Sequence, residues 1–165
     1  MSKKNDYTTE EWNSILAAPY HAAMLIVVSD FNISFYNEIG AMMQSVMASV
    51  EGSKSELIRE AAADLTKKEN QDAIKPELDH LKDEKDPASQ KSAMLAYVVN
   101  AADLVSSKSS EDGQVYREWL LYLAQKTAEG SKEGGFLGIG GVRVSGQEQA
   151  SLDELAEKLG INTDA

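Results

Sequence analysis

Three pairs along this 165-residue chain read as helix starts, each a Ser or Thr three residues ahead of a Glu: Thr8 with Glu11, Ser53 with Glu56, and Ser145 with Glu148. Each pair opens a run of apolar residues at helical spacing. In such a capping box the hydroxyl accepts the backbone N–H of the Glu while the carboxylate accepts that of the cap residue, satisfying donors that a helix start leaves open. Behind Thr8 come Trp12, Ile15, Leu16, Ala22, Ala23, Ile26 and Val27, and from Met24 to Val28 the helix is apolar on every side. That is the pattern of a central, buried helix, and Pro19 is expected to kink it. A second helix is predicted over 34–50, where Phe35, Ile39, Met42, Val46 and Val50 are spaced 4, 3, 4 and 4.

The same spacing continues downstream. Leu57, Ile58, Ala61 and Leu65 follow the second capping box, and Ile74, Leu78 and Leu81 mark a short helix with Pro76 near its first turn. Asp86-Pro87 starts a helix over 88–107 that carries Met94, Leu95, Val98, Ala101, Ala102 and Val105. A further helix over 114–128 is amphipathic through Val115, Trp119, Tyr122 and Leu123, with Gly130 as its stop. The last helix, over 145–160, carries Leu152, Leu155, Ala156 and Leu159 and closes on Gly160. No long alternation of period two occurs. The expected fold is therefore all-α: a bundle of five long helices plus a short one, forming a single domain over 1–165. A glycine-rich insertion at 130–144, read as a loop or short hairpin, precedes the C-terminal helix.

Charge narrows the function classes. With 27 acidic against 16 basic residues the net charge is −11, which opposes a broad phosphate-backbone or anionic-membrane footprint. No nucleic-acid or membrane partner is expected. Cysteine is absent, which removes disulfides, thiol catalysis, iron–sulfur clusters and zinc–thiolate sites together. The start, Met1 to Asp6, is followed by no apolar run of secretory type, and the most apolar stretch, 15–28, is too short to span a bilayer. A cytoplasmic location is the expectation.

Several motifs invite a chemical reading. The segment Gly134-Gly135-Phe136-Leu137-Gly138-Ile139-Gly140-Gly141-Val142-Arg143-Val144 is the strongest irregularity. Lys132, Gly138, Gly140, Gly141, Arg143 and Ser145 form a candidate anion site, since exposed N–H groups and a helix N-terminus favour negative charge. The alternative is a plug for the bundle made by Phe136, Leu137, Ile139, Val142 and Val144, with Gly140-Gly141 turning a hairpin. Glu77 and His80 have the spacing of a di-iron ligand pair, but no second pair exists to complete one. Asp30, Asn32 and Ser34 mimic the first ligands of a calcium loop, yet Phe35 and Ala41 stand where that loop requires Gly and Glu. His21, beside Tyr20 in an apolar helix, is read as a packing residue rather than an acid or base. Met42, Met43 and Met47 sit on one helix and form a candidate partner surface.

Trp119-Leu120, Ala124 through Ala128, and the run from Lys132 to Ser145 with Glu148 resemble a family of small all-helical prokaryotic proteins with a GGFLGxGGVxVSxxE segment. Trp12 with Leu16-Ala17-Ala18-Pro19-Tyr20 is similar to that family's opening helix. The resemblance implies a helical fold and brings no activity or cofactor with it. Ala23 to Asp30 with Ile33-Ser34 and Glu38, and Val144-Ser145 with Glu148, resemble TerB-like helical domains of tellurite resistance more distantly. That resemblance implies a stress-associated metal site using carboxylates such as Asp30 and Glu38. The leading expectation is a non-enzymatic interaction or scaffold protein that self-associates or binds a protein partner, with no cofactor and no metal assigned. A binder of small anionic ligands at the glycine-rich segment and a TerB-like metal-binding domain are the alternatives.

Overall fold

The structure, a computed structural model, describes residues 2–29, 35–79, 86–130 and 144–162, the side chain of Phe35 excepted. Among these residues there are eight α-helices and no strand. They are α1 (Thr9–Val27), α2 (Phe35–Gly52), α3 (Glu56–Leu65), α4 (Lys68–Ala73), α5 (Lys75–Asp79), α6 (Pro87–Lys108), α7 (Ser110–Gly130) and α8 (Gly146–Lys158), with a 3-10 turn, Lys4–Asp6, before the first. The all-α expectation holds, while the count of five long helices plus a short one does not. The charged stretch after Leu57 is three short helices, because the chain turns at Thr66-Lys67 and again at Ile74.

Two of the three capping boxes form as the spacing predicts. Thr8 Oγ1 accepts from Glu11 N at 3.2 Å and Glu11 returns the bond to Thr8 N at 2.8 Å; Ser145 and Glu148 do the same at 3.2 and 2.7 Å. The box at Ser53 does not form. Ser55 caps α3 instead, accepting from Ile58 N, while Ser53 Oγ accepts from Ser55 N at 3.2 Å. Two serines offset by two residues compete for one cap, and the one that lets Leu57, Ile58, Ala61 and Leu65 face inward takes it. At the other end of the chain Gly160 has φ +68, and Ile161 N and Gly160 N bond Ala156 O and Glu157 O at 2.9 and 3.0 Å. This paired closure of the last turn needs a left-handed residue, which glycine supplies without strain.

Helix α1 is the hub. It packs most extensively on α6 and α7 and also meets α2, α3, α5 and α8. Ile15, Leu16, Leu25 and Ile26 from α1, Val98 and Val105 from α6, and Leu120 and Leu123 from α7 are all completely buried. Helices α6 and α7 form a tight hairpin through Ser109 alone. A Cβ on Gly113 would lie 2.6 Å from the Ser106 Cα, so only glycine lets the two backbones come this close. Helix α7 consequently starts at Ser110, earlier than its apolar pattern indicates.

The prolinyl position in α1 is handled by tertiary structure. Helix α1 runs unbroken through Pro19, whose missing N–H deprives the Ile15 carbonyl of its helical partner. The Tyr116 hydroxyl, completely buried on α7, donates to that carbonyl at 2.6 Å. One buried phenol thus answers one orphaned acceptor, and burial raises its pKa well above the ordinary 10.0.

Candidate interaction face on the second helix

Helix α2 lies across α7 and α3, and two stripes run along it. The inward stripe includes Met42 and Val46, both completely buried, with Ile39 and Val50 packed against the core. The outward side carries Tyr36, Gly40, Met43 and Met47, again spaced 4, 3 and 4. Tyr36 is 85% exposed and Met47 62%, the most exposed large hydrophobic side chains among the described residues. Asn37, Gln44 and Ala48 are exposed beside them. From Tyr36 to Val50 the one charged residue is Glu38, which is 1% exposed.

The structure divides the three methionines. Met42 is a core residue, because its position falls on the buried stripe, and it offers nothing to a partner as folded. Met43 is half-buried and accepts the Tyr20 hydroxyl on its Sδ at 3.5 Å. Met47 alone stands in solvent. Tyr36 and Gly40 were not singled out by sequence reasoning, although their spacing with Met43 and Met47 is visible there.

Where α2 meets α7 the backbones are close: a Cβ on Gly130 would lie 2.8 Å from both the Ala41 Cβ and the Asn37 carbonyl oxygen. Toward solvent the same junction opens into a groove of about 320 Å³. Tyr36, Gly40 and Gln44 line it from α2, and Lys126 and Glu129 from α7. The Lys126 ammonium is 2.6 Å from Glu129 Oε2 and 5.8 Å from the Tyr122 ring centroid, so its charge is engaged locally. Gly40 differs from Gly113 and Gly130, since a Cβ there would meet nothing within 4 Å.

Of the candidate anion site, Lys132, Gly138, Gly140, Gly141 and Arg143 lie outside the described residues, as do Asp30, Asn32, Ser34 and His80. Ser145 is described, and both its polar groups serve its own helix. Its N–H donates to Glu148 Oε2 and its hydroxyl accepts Glu148 N, which sets a carboxylate at the helix start where an anion would bind. Among the described residues no group of three or more His, Asp or Glu is placed to hold a metal ion, and no helix is long and apolar enough to cross a membrane.

His21 belongs to a structural strut. Its ring is buried and stacks on Tyr97 with centroids 4.0 Å apart and planes at 29°. Nε2 lies 3.1 Å from the Glu77 carbonyl oxygen, which can only accept, so the proton sits on Nε2. The Tyr97 hydroxyl donates to Glu77 Oε2 at 2.8 Å. Burial pushes the Tyr97 phenol far above its ordinary range, and the Glu77 carboxylate adds to that rise. These contacts tie α1, α5 and α6 together.

A buried carboxylate, Asp64 on α3, anchors the N-terminal turn. It accepts Lys4 Nζ at 2.6 Å, Lys67 Nζ at 2.7 Å and Trp12 Nε1 at 3.0 Å. Burial pushes its carboxyl upward, but these three donors together outweigh burial and hold the pKa below the ordinary 3.8. Each polar cluster therefore fastens one element to another. Comparison of the chain with protein-family models, with curated proteins and with solved structures gives no match in any of the three.

Proposed function

We propose that this chain is a non-enzymatic scaffold that works by associating with a second copy of itself through the exposed face of α2. The observation that carries this reading is the absence of exposed charge from Tyr36 to Val50 on a chain of net charge −11. Two copies of so acidic a protein repel each other across most of their surfaces, and a charge-free helix face is where that repulsion is least. Tyr36 and Met47 supply that face with apolar area, and an aromatic and a methionine are the side chains that interface cores favour. Polar Asn37 and Gln44 beside them give hydrogen-bonding capacity at the rim. Light scattering across a concentration series tests the proposal. The parent protein should reach twice 18.0 kDa, and a Tyr36→Asp, Met47→Asp variant should stay at 18.0 kDa with unchanged helicity. A variant whose mass at each concentration matches the parent's would overturn the role of this face.

A further inference from the structure

The face on α2 alternates in side-chain size along its length, and the alternation selects one way for two copies to meet. Read from the N-terminal end it presents a large Tyr36, then the small Gly40, then a long Gln44, and lastly the small Ala48. These four share one side of the helix, one turn apart. Among the described residues nothing lies within 4 Å of where a Gly40 Cβ would be, and a glycine in a helix interior is unfavourable relative to alanine. A close approach by another backbone would make use of that open space.

We infer that two copies pair through antiparallel α2 helices about a two-fold axis passing between Gly40 and Gln44, so that Gln44 of each copy lies over Gly40 of the other and Tyr36 over Ala48. This rests on the self-association proposed above and fixes its geometry. Large meets small at each of the four contacts, as interdigitating helices require. Asn37 and Met47 fall opposite each other by the same register.

Charge favours this direction over the parallel one. Glu51, exposed just beyond the face, would stand opposite its own copy in a parallel pair. In the antiparallel pair the two Glu51 residues are eighteen positions apart along the axis, about 27 Å, well past the screening length of about 8 Å at physiological salt. Two-fold pairing is also the commonest closed symmetry, and it ends at a dimer rather than a filament.

The absence of cysteine in the chain gives a clean test by disulfide trapping. Single variants Tyr36→Cys and Ala48→Cys, both at exposed positions, are purified, mixed, and oxidised mildly. Asn37→Cys mixed with Met47→Cys serves as a second pair that leaves Tyr36 in place. Each mixture should yield a covalent species of twice 18.0 kDa, while Tyr36→Cys or Ala48→Cys alone should not, because identical positions are about 18 Å apart in this arrangement. Trapping by Tyr36→Cys alone would mean a parallel or shifted pairing and overturn the inference. A non-covalent dimer that no pair traps, yet that Tyr36→Asp with Met47→Asp dissolves, would keep self-association through α2 and refute this geometry; one that the double variant leaves intact would refute both. A mass of 18.0 kDa at all concentrations would refute both.

Discussion

The bond from Tyr116 to the Ile15 carbonyl predicts a specific energetic coupling. Pro19 removes the donor that this carbonyl would have in an ordinary helix, and the Tyr116 hydroxyl replaces it at 2.6 Å inside a completely buried site. Tyr116→Phe keeps the ring and deletes the donor, leaving a buried carbonyl unsatisfied at a cost of about 1–3 kcal/mol. In a domain of this size each kcal/mol moves Tm by roughly 2–4 °C, so the loss is readily measured by thermal unfolding followed by circular dichroism. Pro19→Ala restores a backbone N–H to the same carbonyl. In that background Tyr116→Phe should cost less, by about 1 kcal/mol, because the acceptor already has a partner. The double-mutant cycle cancels the separate effects of losing the prolyl ring and of changing helix propensity. Equal losses from Tyr116→Phe in both backgrounds would refute the argument that the tyrosine answers the proline.

Three glycines and one carboxylate supply further tests. Gly113→Ala drives a methyl toward the Ser106 backbone; overpacking costs of about 1–3 kcal/mol, against a propensity gain near 1 kcal/mol, predict a net loss in thermal unfolding. Gly130→Ala should likewise destabilise, whereas Gly40→Ala, which meets nothing, should stabilise the isolated subunit by up to about 1 kcal/mol at low concentration. Asp64 has a folded pKa below its ordinary 3.8, so its contribution is fully present above that value and is lost as the pH falls through the folded one. Asp64→Asn should be less stable than the parent by about 1–2 kcal/mol near neutral pH, and the gap should close in acid unfolding curves below pH of about 4.

Most of the helices were legible because their signals are local. The cap at Thr8 with Glu11, the cap at Ser145 with Glu148, Asp86 before Pro87, and Gly160 each act within one turn, and each forms as the spacing indicates. The misreading at Ser53 has a local cause too: Ser55 offers the same hydroxyl two residues later, and only the inward packing of α3 decides between them. What stayed hidden depends on contacts between distant parts of the chain. Nothing near Pro19 announces Tyr116, and nothing near Trp12 announces Asp64.

The candidate face illustrates the same limit. Periodicity shows two apolar stripes on α2 and cannot say which one the bundle covers, so Met42 and Met47 look alike in sequence and differ completely in exposure. The early start of α7 is hidden for a similar reason, since the need for Gly113 comes from Ser106 on the neighbouring helix rather than from its own local sequence.

Self-association through an uncharged face is the central claim, and the most direct measurement is native mass spectrometry of the untagged protein over a range of concentrations and salt. The account predicts a species at twice 18.0 kDa that gains population as salt screens the net charge of −11, and that Tyr36→Asp with Met47→Asp abolishes. A mass of 18.0 kDa under every condition would contradict it.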